Sequence, residues 1–458
     1  MRYFPIMGLR LVRTPISALA LVLVPLVTAC AASPVMQAAE KGDYATMQNE
    51  IGARQKAGSL TNAEARELAI VVLRHELDAA KGDDVVKRIR EARACSPELQ
   101  ASLEKRMATK DAGGAEAALV LYEDGKLEGA EAREHTDAPD DAWRAVGASA
   151  LVRDLDAPRR RQAMVDPSPR VRRAAISASA LAGDQGDANV LFETARVDPD
   201  PFVRTYALRG LALLGGDRGP DAKGSRIAAE ITLRFVDLWN AGDDALKEDV
   251  GAQLAISPLY EAGGRERLRM LLGDGHGAGV IAAAAAVTRR PEPTTDADRE
   301  LRGSAIAILL RTIESGSKRE RSHAIATAPL FPETVKVLVK AKDDDDISVR
   351  IAVLSRLANV VAERAAAIKA LEEIAAKKDE EELSARAKLA LASAGDARIQ
   401  AWIEEDLRSK NPVIRLGAVV SLATMGKAAR GAVVMSDDDP SVRTRAACMI
   451  AASVRVRH

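Results

Sequence analysis

The sequence predicts an all-α fold, an α-solenoid of stacked helical hairpins, from three observations. A short phrase recurs: a capping residue, often a proline, a β-branched or apolar residue, then an arginine and an alanine-rich run. Its clearest copies are Asp200-Pro201-Phe202-Val203-Arg204, Asp439-Pro440-Ser441-Val442-Arg443, Ser168-Pro169-Arg170-Val171-Arg172 and Asn411-Pro412-Val413-Ile414-Arg415. The copies return at a period near thirty residues, which marks units that stack because one alone cannot bury its apolar face. The composition agrees. Hydrophobic residues make up 47% of the chain but aromatic residues only 3%, and a core built on alanine favours close-packed helices over sheets.

Eight arginines index the repeat: Arg144, Arg172, Arg204, Arg321, Arg350, Arg386, Arg415 and Arg443. Four residues before them stand Asp140, Ser168, Asp200, Ser317, Asp346, Glu382, Asn411 and Asp439. All but Glu382 are side chains that cap a helix by accepting one of its unpaired first-turn N–H groups. Pro169, Pro201, Pro412 and Pro440 follow directly. A proline suits the first helical residue, where its missing N–H costs nothing. Small residues three after the arginine (Ala175, Ala207, Ala324, Ala418, Ala446) and apolar ones four after (Ile176, Leu208, Ile325, Leu354, Val419) form one buried stripe that lets helices approach closely. Gly183, Gly215 and Gly426 then predict the helix ends. A second helix such as Ala188–Arg196 leads into the next cap.

Between Arg204 and Arg321 the index is silent for 117 residues, room for three or four divergent repeats. Helices are predicted there at 223–240, 244–255, 265–272, 278–289 and 298–315, with breaks at Gly215–Pro220, Gly273–Gly277 and Arg290–Thr295. This irregular part, 216–316 within a solenoid spanning 137–458, is the expected place for a kink or functional insertion. Residues 30–136 are helical without the arginine signature, with a capping box at Thr61…Glu64, turns at Lys41-Gly42-Asp43 and Lys81-Gly82-Asp83, and a helix start at Ser96-Pro97. They are expected to cap the first full repeat.

The pattern resembles the HEAT-like repeats, in particular the short bacterial kind also found in phycobilin lyases, over roughly Ala138 to His458. The resemblance implies polar ladders between repeats, pairing Asp200 with Arg204 and Asp439 with Arg443 and with their stacked neighbours.

Residues 1–29 read as an export signal: Arg2, Arg10 and Arg13 precede an apolar run from Ile16 to Val27, too short to span a bilayer. The end, Leu26-Val27-Thr28-Ala29-Cys30, resembles the lipobox of bacterial lipoproteins. That implies a lipid on Cys30 as the mature N-terminus, and Ala31 after it implies an outer-membrane anchor facing the periplasm. Removing residues 1–29 leaves 63 basic against 66 acidic side chains, a balance that gives no expectation of nucleic-acid binding. Cys95 and Cys448 are expected many repeats apart, too far for a disulfide, as free buried thiols.

Catalytic and cofactor signals are weak, and neither a metal site nor a cofactor is expected. His75-Glu76 resembles the His-Glu pairs of HEAT-repeat iron hydroxylases but stands alone, as a helix-surface pair. The loop around His276 lacks the preceding strand of a phosphate-binding loop. Asp343–Asp346 lacks the glycine and terminal glutamate of a calcium loop and falls where the repeat needs a cap. Trp143, Phe235, Trp239 and Trp402 are core aromatics or anchors for a ligand.

The chain is therefore expected to be a lipid-anchored, non-enzymatic solenoid of the bacterial cell envelope, a scaffold for envelope proteins not identifiable from the sequence. The alternative implied by the repeat resemblance is an accessory or maturation enzyme of the phycobilin-lyase type. DNA binding, as in HEAT-like glycosylases, conflicts with the neutral charge and the export signal.

Overall fold

The computed structural model describes residues 33–216, 222–273, 277–377 and 379–453, and the side chains of 222–225 are left aside. Cys30, the segment 1–29 and the loop around His276 lie outside the described residues. The N-terminal part contains α1 (Pro34–Lys41), α2 (Tyr44–Lys56), α3 (Asn62–Ala79), α4 (Asp83–Glu91), α5 (Gln100–Met107), α6 (Ala112–Glu123) and α7 (Gly129–Arg133). Then come α8 (Asp141–Ser149), α9 (Ala157–Ala163), α10 (Pro169–Ala182), α11 (Ala188–Val197), α12 (Pro201–Gly215), α13 (Ala222–Ala241), α14 (Asp244–Leu254), α15 (Arg265–Gly273) and α16 (Ala278–Thr288). The remainder is α17 (Asp296–Ser315), α18 (Lys318–Thr327), α19 (Pro332–Lys340), α20 (Ile347–Leu357), α21 (Arg364–Ala375), α22 (Glu381–Ser393), α23 (Gln400–Asp406), α24 (Pro412–Thr424) and α25 (Pro440–Ser453). Short 3₁₀ segments, the longest at Ala428–Ser436, complete several second helices.

Most helix starts follow the predicted chemistry, but Ser168 makes no side-chain cap bond and donates to Asp141 instead. Asp140, Asp200, Asp346 and Asn411 accept first-turn backbone N–H groups, Ser317 does so in a capping box with Glu320, and Thr61 with Glu64 forms the box expected for α3. Gly183 ends α10 in the left-handed conformation (φ 63°). Gly215 is instead the last residue of α12, which Gly216 terminates with extended backbone. Gly42 (φ 67°) turns the chain from α1 to Asp43, the N-cap of α2; a Cβ there would strike the His75 ring. Ser96-Pro97 lies inside the 3₁₀ segment Arg93–Leu99, so no α-helix starts there. Glu382 lies inside α22, whose N-cap is Glu380 without a side-chain cap bond.

The silent interval holds the helices the periodicity placed, at nearly the same limits, but only α14 and α16 stand between α12 and α18 in their layer. The intervening α13 and α17 are each 20 residues long, which absorbs the length.

One layer of helices runs α4, α6, α8, α10, α12, α14, α16, α18, α20, α22, α24, α25, each packed on the next, and α25 packs back on α4. The solenoid closes into a ring. The last helix, α25, has no described partner helix after it, and α3 takes that place: it packs along α25, beside Ala428–Ser436 on one side and α5 on the other. The N-terminal helices thus complete the last repeat as well as shielding the first. One hydrophobic core runs through the molecule, from Val35 to Ala451.

Candidate functional site

The polar ladder differs from the pairing that the resemblance implied. Asp200 spends its carboxylate on the N–H groups of Phe202 and Val203, while for four arginines the ladder acid stands two residues before the next cap; Arg204 instead meets Asp243, the N-cap of α14, and Arg350 meets only the Asp344 carbonyl. Arg172 donates to both oxygens of Asp198 at 2.7 and 2.8 Å and to the Asp166 carbonyl in its own repeat at 2.9 Å. Arg144 is held likewise by Asp166, Arg321 by Asp344 and Arg415 by Asp437. A guanidinium is a planar fork that satisfies a carboxylate bidentately, so each arginine ties its own loop to the next repeat. The same aspartates accept the cap residue's N–H, as Asp198 does from Asp200 and Asp437 from Asp439. A signal existed in the sequence, the recurrent Asp-x-cap at Asp166, Asp198, Asp344 and Asp437.

No later repeat stands among the described residues, and Glu76 of α3 supplies Arg443 with a carboxylate at 2.7 Å. Its guanidinium also lies over the Tyr44 ring, 4.0 Å from the centroid, and the Tyr44 hydroxyl donates to Glu76. Burial and the Glu76 bond push that hydroxyl well above the usual phenol range. Glu76 is therefore a buried part of the ring closure, not half of an exposed His-Glu pair, while His75 faces the Glu40 carbonyl.

The rest of the seam is equally specific. Asn62 donates to the Gly426 carbonyl and accepts from the Ala429 N–H, at 2.8 and 2.9 Å. Gln55 donates to the carbonyls of Ala429 and Arg430. Ser441 bridges Arg88 and Glu91. Cys95 and Cys448 form a disulfide, with Cα atoms 5.8 Å apart. This corrects the expectation of two free thiols: a separation of 353 residues measures the path around the solenoid, not the gap between its joined ends. A cavity of about 690 Å³ opens beside the seam, between Gln48 and Gln55 of α2 and Arg415, Arg430 and Asp437.

The irregular segment is stapled. A π-helical turn at Tyr260–Gly264 precedes α15; the Tyr260 hydroxyl donates to Asp298 at 2.6 Å, and Arg290 stacks 3.4 Å over its ring. Arg290 also donates to the Ala255 carbonyl, which fixes the start of the 290–295 loop.

Trp143, Phe235 and Trp239 are buried core residues, whereas Trp402 is 37% exposed. Among the described residues no group of three His, Cys, Asp or Glu side chains is placed to hold a metal ion, and no helix is long and apolar enough to cross a membrane. Of the exposed apolar side chains, Leu155, Val165, Leu181, Val197, Phe202 and Leu213 lie in neighbouring repeats, while others such as Val361 and Val413 lie farther along. Val165 and Val197 occupy equivalent repeat positions, as do Leu181 and Leu213.

No family model and no curated protein sequence matches the chain. Among solved structures, an engineered protein aligns at 19% identity with a TM-score of 0.28, over 86% of this chain and 99% of its own. The condensin Cnd3-Cnd2 subcomplex of S. pombe aligns at 12% identity and TM-score 0.25, over 85% of this chain and 64% of its own. UNC-45 from Drosophila melanogaster aligns at 13% and 0.22, over 92% and 78%. Likenesses this weak carry no functional argument. By its own geometry, the chain is an all-α solenoid of stacked helical hairpins whose two ends join.

Proposed function

We propose that the chain is a non-enzymatic protein-interaction scaffold, lipid-anchored through Cys30 in the bacterial cell envelope. One observation carries the interaction role: the recurrent exposed apolar positions in the repeats of Arg172 and Arg204. Val165 and Val197, with Met164, Val190 and the prolines 167 and 199, line an open groove of about 620 Å³. Recurrent exposed apolar side chains at such a groove, which Asp166, Arg172, Glu193 and Asp198 also line, support a contact site. The lipobox-like end at Cys30 supports the anchor, and a disulfide at the seam suits an oxidising compartment.

Crosslinking in cells tests the scaffold role. A discrete envelope partner should be captured by the wild type and lost in Val165→Ser/Val197→Ser/Phe202→Ser, with the melting temperature kept. Capture that survives the triple substitution would place the interaction elsewhere. Cys30→Ser should release the protein from membranes; a variant that stays bound overturns the lipid anchor.

A further inference from the structure

Arg386 and Arg350 lack a ladder carboxylate, Arg350 bonding only the Asp344 carbonyl, and beside the repeat of Arg386 a cavity opens. Ser409 stands where the repeats of Arg144, Arg172, Arg321 and Arg415 have the acid that would receive Arg386, and Arg386 makes no hydrogen bond or ion pair among the described residues. In the same repeat Lys388 and Asp406 occupy positions that elsewhere hold Ala174 with Ala195, Val146 with Ala163 and Gly417 with Val434. Lys388 is only 8% exposed, and its ammonium donates to Asp406 Oδ1 at 2.7 Å. Burial pushes the Asp406 carboxyl up, against the opposing pull of Lys388. A buried ion pair adds little stability over the apolar pair it replaces, so its presence in one repeat asks for another reason.

Both groups line a cavity of about 450 Å³ with Trp402 at its wall, within the size range of ligand pockets. An ammonium carries three donors and a carboxylate two acceptor oxygens. Among the described residues Lys388 uses one donor, and Asp406 Oδ2 has no partner. Side by side, these present a donor next to an acceptor with no net charge of their own, and Glu381, Glu405 and Arg408 also line the cavity. An amide matches that pattern, its carbonyl accepting from Lys388 and its N–H donating to Asp406, and a flat group attached to it packs on Trp402.

We propose that this cavity binds an amide, the peptide bond or carboxamide side chain of a partner protein. The proposal rests on the scaffold reading only for the owner of the amide. The test uses fragments: benzamide, benzoate and benzylammonium are titrated separately while the indole N–H resonance of Trp402, assigned with Trp402→Phe, is followed. Benzamide should move it with a roughly millimolar midpoint, as suits so small a ligand, and the other two should not at equal concentration. Lys388→Met/Asp406→Leu, which restores an apolar pair, should weaken the response at least about tenfold while the melting temperature holds. Should that variant fail to fold, Ser384→Leu, which fills the cavity from α22, serves in its place. An absent benzamide response, an equal response to either charged fragment, or unchanged binding by the variant overturns the proposal. Partner capture by crosslinking is read separately, so failure here leaves the scaffold role standing.

Discussion

Arg443 in the last helix donates to Glu76 in the third, and the bond continues across the ends of the chain the ladder that Arg172 and Asp198 make between neighbouring repeats. The two residues are 367 positions apart in sequence. The first helices therefore dock in the register of a further repeat, with a carboxylate at the level where the guanidinium needs one.

Glu76→Ala should lower stability by about 3–5 kcal/mol, because it strands a buried guanidinium. Pairing it with Arg443→Met should recover much of the loss. Urea denaturation midpoints of both single variants and the double test this; strictly additive losses would show that the pair is uncoupled.

Cys95→Ala should cost roughly 2–5 kcal/mol, since the bond closes a long loop in the unfolded chain. The wild type should melt lower under a strong dithiol reductant, and the variant should not respond. Protease cleavage between α2 and α3 should quicken in the variant if the seam is the element it loosens.

Asp198 and Asp200 sit two residues apart with different duties. Asp198→Ala removes the partner of the buried Arg172 and should cost about 3 kcal/mol or more. Asp200→Ala removes only a cap and should cost about 1 kcal/mol. Equal losses would refute the assignment of the ladder to the residue two before the cap.

Acid should weaken the seam's capping box. The backbone N–H of Thr61, then Arg54 and the Thr61 hydroxyl, hold the Glu64 carboxyl at about 2. A depressed carboxyl contributes stability that is present above its ordinary value of 4.5 and lost as pH falls towards 2. The exposed position limits this to under about 1 kcal/mol. Thermal unfolding between pH 7 and 3 should fall less steeply in Glu64→Gln than in the wild type.

Local order was legible from the chain because it is chemically local. A cap such as Asp346, a proline such as Pro201 and the apolar spacing after each arginine act within one turn, and the helices formed where those signals stand. The same logic located α13 to α17 without the arginine index. The ladder was half legible: its arginines stand out in the repeat, whereas the family resemblance implied that its acids are the caps. In the structure the cap carboxylates already serve N–H groups, which leaves the aspartates two residues earlier to face the neighbouring repeat.

Ring closure was decided by tertiary structure alone. Each repeat adds a small rotation to the one before, and the sum over the whole array determines whether the ends meet. No window of sequence contains that sum. Hence Glu76 read as a surface residue, and Cys95 and Cys448 as unrelated thiols. By itself the sequence determined the helices, their pairing into hairpins and the stacking stripe, since propensity, capping and periodicity act over a few residues. The tertiary structure decided which end meets which and which charges are buried together, since those depend on accumulated geometry.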